Sequence, residues 1–112
     1  MARDPLQTLS EPMFYLLLSL REEKSGAEIF QYISDLTDNR IKMGPGTLYA
    51  LLARFVDDEL IYISSTNGKR KNYKLTDEGR LQLEQEFERL KQLVDDYRKV
   101  SKESPENLKS EE

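Results

Sequence analysis

The chain contains no cysteine, no histidine and no tryptophan. The first two absences remove disulfides, thiolate nucleophiles, zinc sites of the usual kind and the side chain most often used as a general base. A cysteine-free chain also fits a reducing compartment. Long apolar runs are missing too. None approaches the roughly 20 residues that span a bilayer, and the opening "MARDPLQTLSEP" is too polar for a signal peptide. These features predict a soluble, cytoplasmic protein with no membrane partner. Carboxylates are plentiful but lie in charged runs, where solvation explains them. Asp57-Asp58 and Asp95-Asp96 are adjacent pairs, and adjacent helical residues do not face the same way. No catalytic residue, metal site or cofactor is expected.

What remains suits one small domain. The chain has 112 residues, 38% hydrophobic and 34% charged, enough for a single modest core. Its net charge of −4 argues at first against nucleic acid, but the charge is unevenly spread. From Arg40 to Arg80 there are eight basic residues against five acidic ones, a surplus of three, so the remainder carries −7. A basic middle lies between acidic ends.

Local patterns predict four helices and a hairpin. Ser10 caps a first helix running to Lys24, with Pro12 in its first turn and the apolar run "MFYLLLSL" calling for a central position. Ser25-Gly26-Ala27-Glu28 has the spacing of a capping box, which opens a second helix. Ile29, Ile33 and Leu36 recur along it at helical spacing, with Phe30 beside them. The turn-rich "TDNR" ends it. The third helix begins in "GPG", with Gly44 as N-cap and Pro45 in the first position. Leu48, Leu51, Leu52, Phe55 and Val56 form its buried stripe. Gly46, Thr47, Tyr49, Ala50, Ala53 and Arg54 lie opposite.

Two β-like runs flank Asn67-Gly68 and read as a hairpin. A two-residue turn at Asn67-Gly68 sets Ile61 opposite Lys74. A three-residue loop from Thr66 to Gly68 sets Ile61 opposite Tyr73 and is favoured, because it keeps apolar residues on one face. Thr76 then caps a long last helix, with Asp77 and Glu78 where the helix dipole favours acid. The polar tail "SKESPENLKSEE" is expected to be disordered. The implied division is a flexible start at 1–8, a unit of three helices and a hairpin at 9–75, a long last helix at 76–102 and a tail at 103–112.

Helices two and three form a helix-turn-helix, and a basic hairpin directly after them makes a winged helix. The expected fold class is therefore mainly α with a small β-hairpin: a winged helix-turn-helix followed by a long C-terminal helix. In such a unit the start of the third helix enters the major groove. Glycine there lets the backbone approach phosphate, and the free N–H groups of a helix start favour anions. The plainer reading, that Gly-Pro-Gly is only a tight turn, is as good on this stretch alone. Lys69, Arg70 and Lys71 sit at the hairpin tip. Alone they are an ordinary solvated run, but beside a recognition helix they can reach DNA. Candidate DNA contacts are Lys42, Gly46, Thr47, Tyr49, Ala50, Arg54, Lys69, Arg70 and Lys71.

The segments "GPGTLYALLARF" (Gly44 to Phe55), "DDELI" (Asp57 to Ile61), "NYKLTDEGR" (Asn72 to Arg80) and "LSEPMFYLLLSL" (Leu9 to Leu20) resemble the PadR family of bacterial transcriptional regulators in its short form. The likeness runs from Leu9 to about Val100. It implies a winged-helix homodimer that represses transcription from a palindromic operator in double-stranded DNA. Dimerisation in the family uses the C-terminal helix, often with the first. Thr47, Tyr49 and Arg54 fall at recognition-helix positions, and Lys69 to Lys71 fall in the wing. Three departures stand out. Glu59 occupies a position where many members have glycine, Ala27 replaces a common tyrosine, and there is no tryptophan of the kind some members use to bind flat aromatic compounds. The alternative reading is a winged helix used as a protein-interaction module, with the long helix as its docking segment.

Leu83, Phe87, Leu90, Val94 and Tyr97 make an a/d-like seam along the last helix, flanked by Leu81, Leu93 and Val100, and are the expected dimer interface. Many family members release DNA on binding a small molecule. Met13, Phe14, Tyr15, Phe87 and Tyr97 are the candidate pocket for a small apolar or aromatic effector, with simple core packing as the plainer reading of most of them.

Overall fold

The computed structural model describes residues 8–103. The elements run α1 (Glu11–Ser19), β1 (Lys24–Ser25), α2 (Gly26–Leu36), α3 (Pro45–Asp57), β2 (Ile61–Asn67), β3 (Arg70–Leu75) and α4 (Asp77–Glu103). The flexible start and the disordered tail fall on residues 1–7 and 104–112, which lie outside the described residues. The helix expected to end at 102 runs to Glu103, so Ser101 to Glu103 of the quoted polar run are helical.

The helix starts form as their sequences dictate. The Ser10 hydroxyl accepts from the Met13 amide at 3.4 Å. Ser25 and Glu28 close a full capping box. Gly44 is the N-cap of α3 with Pro45 behind it. The Thr76 hydroxyl accepts from the Gly79 amide at 2.9 Å and donates to the Glu59 carbonyl at 2.7 Å, which joins the start of α4 to the end of α3.

Two helix ends use left-handed residues. After α2, Asp38 and Asn39 have φ of 51° and 62°, and the Asn39 amide bonds back to the Ser34 carbonyl at 2.8 Å. After α3, Glu59 has φ of 62°, its amide bonds to Val56, and the Leu60 amide bonds to Phe55. That pair of bonds is a Schellman motif, whose left-handed position normally belongs to glycine. Glycine would take this position without strain.

Three expectations need correction. The first helix stops at Ser19, not Lys24. Its terminal carbonyls find partners outside the helix: the Lys24 ammonium donates to Ser19, and the Leu75 amide donates to Leu20. Second, the hairpin belongs to a three-stranded antiparallel sheet of order β1-β3-β2, because Lys24 and Ser25 pair with Tyr73 and Asn72. Third, the hairpin register differs from both alternatives read from sequence. Asn67 pairs with Arg70, leaving a two-residue turn at Gly68-Lys69. Gly68 has φ of 65°, as the first central residue of a type II′ turn requires. An extra residue, Ser64, bulges from β2, so Ile61 faces Leu75 and Ile63 faces Tyr73. The bulge restores the apolar pairing that the shifted turn would otherwise lose.

The core gathers Leu16, Leu17 and Leu20 of the α1 region, Ile29 and Ile33 of α2, Leu48, Leu52 and Phe55 of α3, Leu60 and Ile61, Tyr73 and Leu75 of the sheet, and Leu83 of α4. Leu51 and Val56 are only partly buried, and Leu36 is half exposed, so the α2 stripe ends one turn sooner than its spacing suggests. Gly79 packs against the Leu60 carbonyl so closely that a Cβ there would overlap it. This close approach holds α4 to the α3–β2 junction. No helix among the described residues is long and apolar enough to cross a membrane.

Candidate nucleic-acid interface

The start of α3 is uncovered. A Cβ added at Gly44 or Gly46 would meet nothing within 4 Å, and Thr47, Tyr49, Ala50, Ala53 and Arg54 are exposed along the same helix. Lys42 is exposed in the loop ahead of it. The Gly-Pro-Gly stretch thus leaves bare backbone facing outward at the helix end that attracts anions. Arg54 lies at the other end, in the last turn, with its Nε 3.8 Å from Asp58 Oδ2. Asp57 and Asp58 make that end acidic.

Lys69 sits in the hairpin turn and Arg70 and Lys71 open β3, all three exposed. The fold brings them to Tyr49. A groove of about 520 Å³ is lined by Tyr49 of α3, by Lys69, Arg70 and Lys71 of the wing, by Tyr73, and by Ser25, Gly26 and Ala27 at the start of α2. Four of the nine expected contact residues therefore share one concave surface. Lys42, Gly46, Thr47, Ala50 and Arg54 lie outside the groove lining, on or just before α3.

The floor of the groove escaped sequence reading. Ser25 to Ala27 were legible as a helix start but not as neighbours of the wing. The one available signal was Gly26 inside the capping box. Tyr49 reaches over Gly26, and a Cβ at that position would overlap the tyrosine hydroxyl. Tyr73 beneath it has a phenol held above the ordinary value, chiefly by burial and secondly by Tyr49.

At this surface an ion pair joins the wing to α2. Arg70 Nη2 donates to the Ser25 hydroxyl at 3.1 Å and stands 3.3 Å from Glu28 Oε2. Glu28 is held below the usual carboxylate range, first by the Ser25 backbone amide and also by Arg70.

The residues expected at a dimer seam divide. Leu83 is 5% exposed and belongs to the monomer core, so it is not part of an open seam. Leu90 is half-buried, while Phe87, Val94 and Tyr97 are exposed, as are Leu81, Leu93 and Val100. The candidate effector residues divide as well. Met13, Phe14 and Tyr15 are partly buried against the core. Phe14 and Tyr15 meet edge to face at 5.7 Å, and the Tyr15 hydroxyl accepts from Arg40 at 3.0 Å. The plainer packing role fits these three.

The family model for PadR-like transcriptional regulators matches residues 16–85, which include α2, α3, the hairpin and the start of α4. The chain belongs to the PadR-like family. An uncharacterized protein of Lysinibacillus sphaericus is 36% identical over 87 residues, covering 71% of this chain and 80% of its own length. A PadR-like transcription factor from Bacteroides fragilis superposes with a TM-score of 0.64 at 28% identity, covering 80% of this chain and 89% of that one. Bacillus subtilis PadR, solved in complex with operator DNA, superposes with a TM-score of 0.57 at 26% identity, covering 64% of this chain and 44% of that one. The PadR-like winged helix, with the long α4 behind it, is the fold of this chain.

Proposed function

We propose that this PadR-like regulator binds double-stranded DNA sequence-specifically and acts as a homodimeric repressor on a palindromic operator. One observation carries the reading: the groove that joins Tyr49 of α3 to Lys69, Arg70 and Lys71 of the wing, beside the uncovered first turn of α3. Cations and a phenol that converge next to a bare helix start suit a phosphate backbone. The small residues Gly46, Thr47 and Ala50 leave the outer face of α3 slim enough to enter a major groove. The operator complex of B. subtilis PadR lends the reading precedent within the family. In this division residues 9–75 bind DNA and residues 76–102 dimerise, in the cytoplasm. Release by a small apolar or aromatic effector belongs to the same reading and is tested by titrating such compounds into the protein–DNA complex.

The deciding experiment is equilibrium binding to the duplex just upstream of the gene, over a range of salt. Binding through phosphates requires log K to fall linearly with log salt, by about 0.9 per phosphate contact. Affinity independent of salt would favour a protein-interaction module, for which the exposed apolar stripe of α4 would be the docking face. Arg54→Ala adds a second check. Altered preference at particular base pairs marks base reading, whereas an equal loss on all sequences leaves Arg54 as a phosphate contact.

A further inference from the structure

Two carboxylates stand beside the wing, where a phosphate-binding surface would be expected to exclude them. Glu28 Oε2 lies 3.3 Å from Arg70 Nη2, which also donates to the Ser25 hydroxyl at 3.1 Å. Ser25 and Glu28 are the two members of the α2 capping box, bonded to each other at 2.8 and 3.3 Å. Arg70 therefore closes the box from outside. Nearer the base of the hairpin, Glu23 Oε2 accepts from the hydroxyls of Ser64 and Ser65 at 2.6 and 2.8 Å. Ser64 is the bulged residue, and the Ser65 hydroxyl in turn accepts from Asn72 Nδ2 at 3.0 Å. Glu23 comes from the segment between α1 and α2 and Glu28 from the first turn of α2, and each is more than forty residues from its partner.

The backbone explains why such ties matter. Pairing of β1 with β3 stops at Ser25 and Asn72, so the outer part of the wing has no ladder to the body. We propose that Glu23 and Glu28 clamp the wing to the body, through Ser64 and Ser65 and through Arg70. Arg70 is then a positioning residue that fixes where Lys69 and Lys71 present their charges, not a phosphate contact itself. A planar guanidinium suits this task, because its fixed fork engages two acceptors at once. Both carboxylates are held below their ordinary range, Glu23 chiefly by the Ser64 hydroxyl and Glu28 chiefly by the Ser25 amide, so both are charged at neutral pH.

This inference rests on the DNA-binding reading, and its test separates the two. The full-length chain is compared with Glu28→Gln, Arg70→Ala and the double variant. Glutamine preserves a capping box and removes only the charge. Amide hydrogen exchange of residues 65–71 is measured without DNA, and affinity for the upstream duplex is measured against salt. A clamp predicts faster wing exchange in each single variant and affinity lowered by roughly two- to fivefold, the range of an exposed ion pair. The double variant should be no worse than either single one, and the salt slope should be retained. If Glu28→Gln leaves binding unchanged or tighter while Arg70→Ala lowers the slope by about one, Arg70 is a phosphate contact and the clamp is overturned. If the unaltered chain binds no duplex, the DNA reading fails, and wing exchange alone decides: unchanged exchange in both single variants overturns the clamp.

Discussion

Tyr49 lies across Gly26 so closely that a single added methyl group would overlap its hydroxyl. This contact joins α3 to the start of α2 at the edge of the basic groove. Tyr49 is nonetheless 52% exposed, so its ring can move aside at small cost to the core. Gly26 itself is buried, but the side chain that an added Cβ would meet is the half-exposed Tyr49, so Gly26→Ala is expected to leave the melting temperature within a few degrees of the parent. DNA affinity is expected to drop, and to drop likewise in Tyr49→Phe. Thermal melts and binding isotherms of the two variants check this. A large loss of stability with intact binding would mean that the contact serves the fold.

Glu59 shows where the sequence departs from its local needs. It occupies the left-handed position of a Schellman motif with φ of 62°, a conformation that costs an L-residue roughly 1–2 kcal/mol. Its side chain is exposed. Part of the relief from glycine is lost to unfolded-chain entropy, so Glu59→Gly is expected to stabilise by about 1 kcal/mol. At this size that raises the melting temperature by about 4–8 °C. Denaturant unfolding decides it, and a destabilised variant would show that the Glu59 side chain makes a contact that outweighs the backbone strain.

Acid is expected to loosen the wing. The carboxyls of Glu23 and Glu28 titrate below their ordinary value of 4.5, facing Lys74 and Arg70 respectively. A lowered folded-state pKa means that the unfolded chain binds the proton more readily. Their contribution to stability is therefore complete above about 4.5 and is lost as pH falls through the lower folded values. Stability from these groups should be flat between about pH 7 and pH 5. Below that, the Glu23→Gln, Glu28→Gln double variant should show a shallower loss than the parent. Parallel acid profiles of the two proteins would mean that neither bond persists in solution.

Much of this fold was legible in the sequence where the determinants are local. Ser10, the Ser25–Glu28 box, Gly44-Pro45 and Thr76 announce their helices because a cap is settled within four residues. The stripe Leu48, Leu52 and Phe55 declares its buried face by spacing alone. The pairing of Lys24 and Ser25 with Tyr73 and Asn72 was hidden, because a two-residue strand has no period and its partner lies far along the chain. The Ser64 bulge was hidden for a related reason. Turn position and bulge compensate, so the apolar pattern fits several registers, and the pairing of β2 with β3 selects one. The wing cations and Tyr49 were each legible singly. Their shared groove, and the capping box beneath it, depend on how the sheet docks against α2.

The exposed side of α4 yields the last prediction. The helix has 27 residues, about 40 Å at 1.5 Å per residue, yet its contribution to the core is Leu83 near its start. Beyond it, Phe87, Val94 and Tyr97 are about half exposed, with Leu93 and Val100 beside them. An apolar stripe of this kind normally has a partner. A second copy of the same helix supplies one with the matching a/d spacing, and a two-fold axis then presents two recognition helices to half-sites about one helical turn apart. Phe87→Glu with Val94→Glu alters only exposed positions, so the variant should keep its fold. It should sediment as a monomer and bind a single half-site as the parent's subunit does. On the full palindrome it should lose the gain from linked binding, on the order of 10²-fold or more. A variant that sediments as a dimer with full affinity for the palindrome would put the interface elsewhere, and α1 would be the next face to substitute.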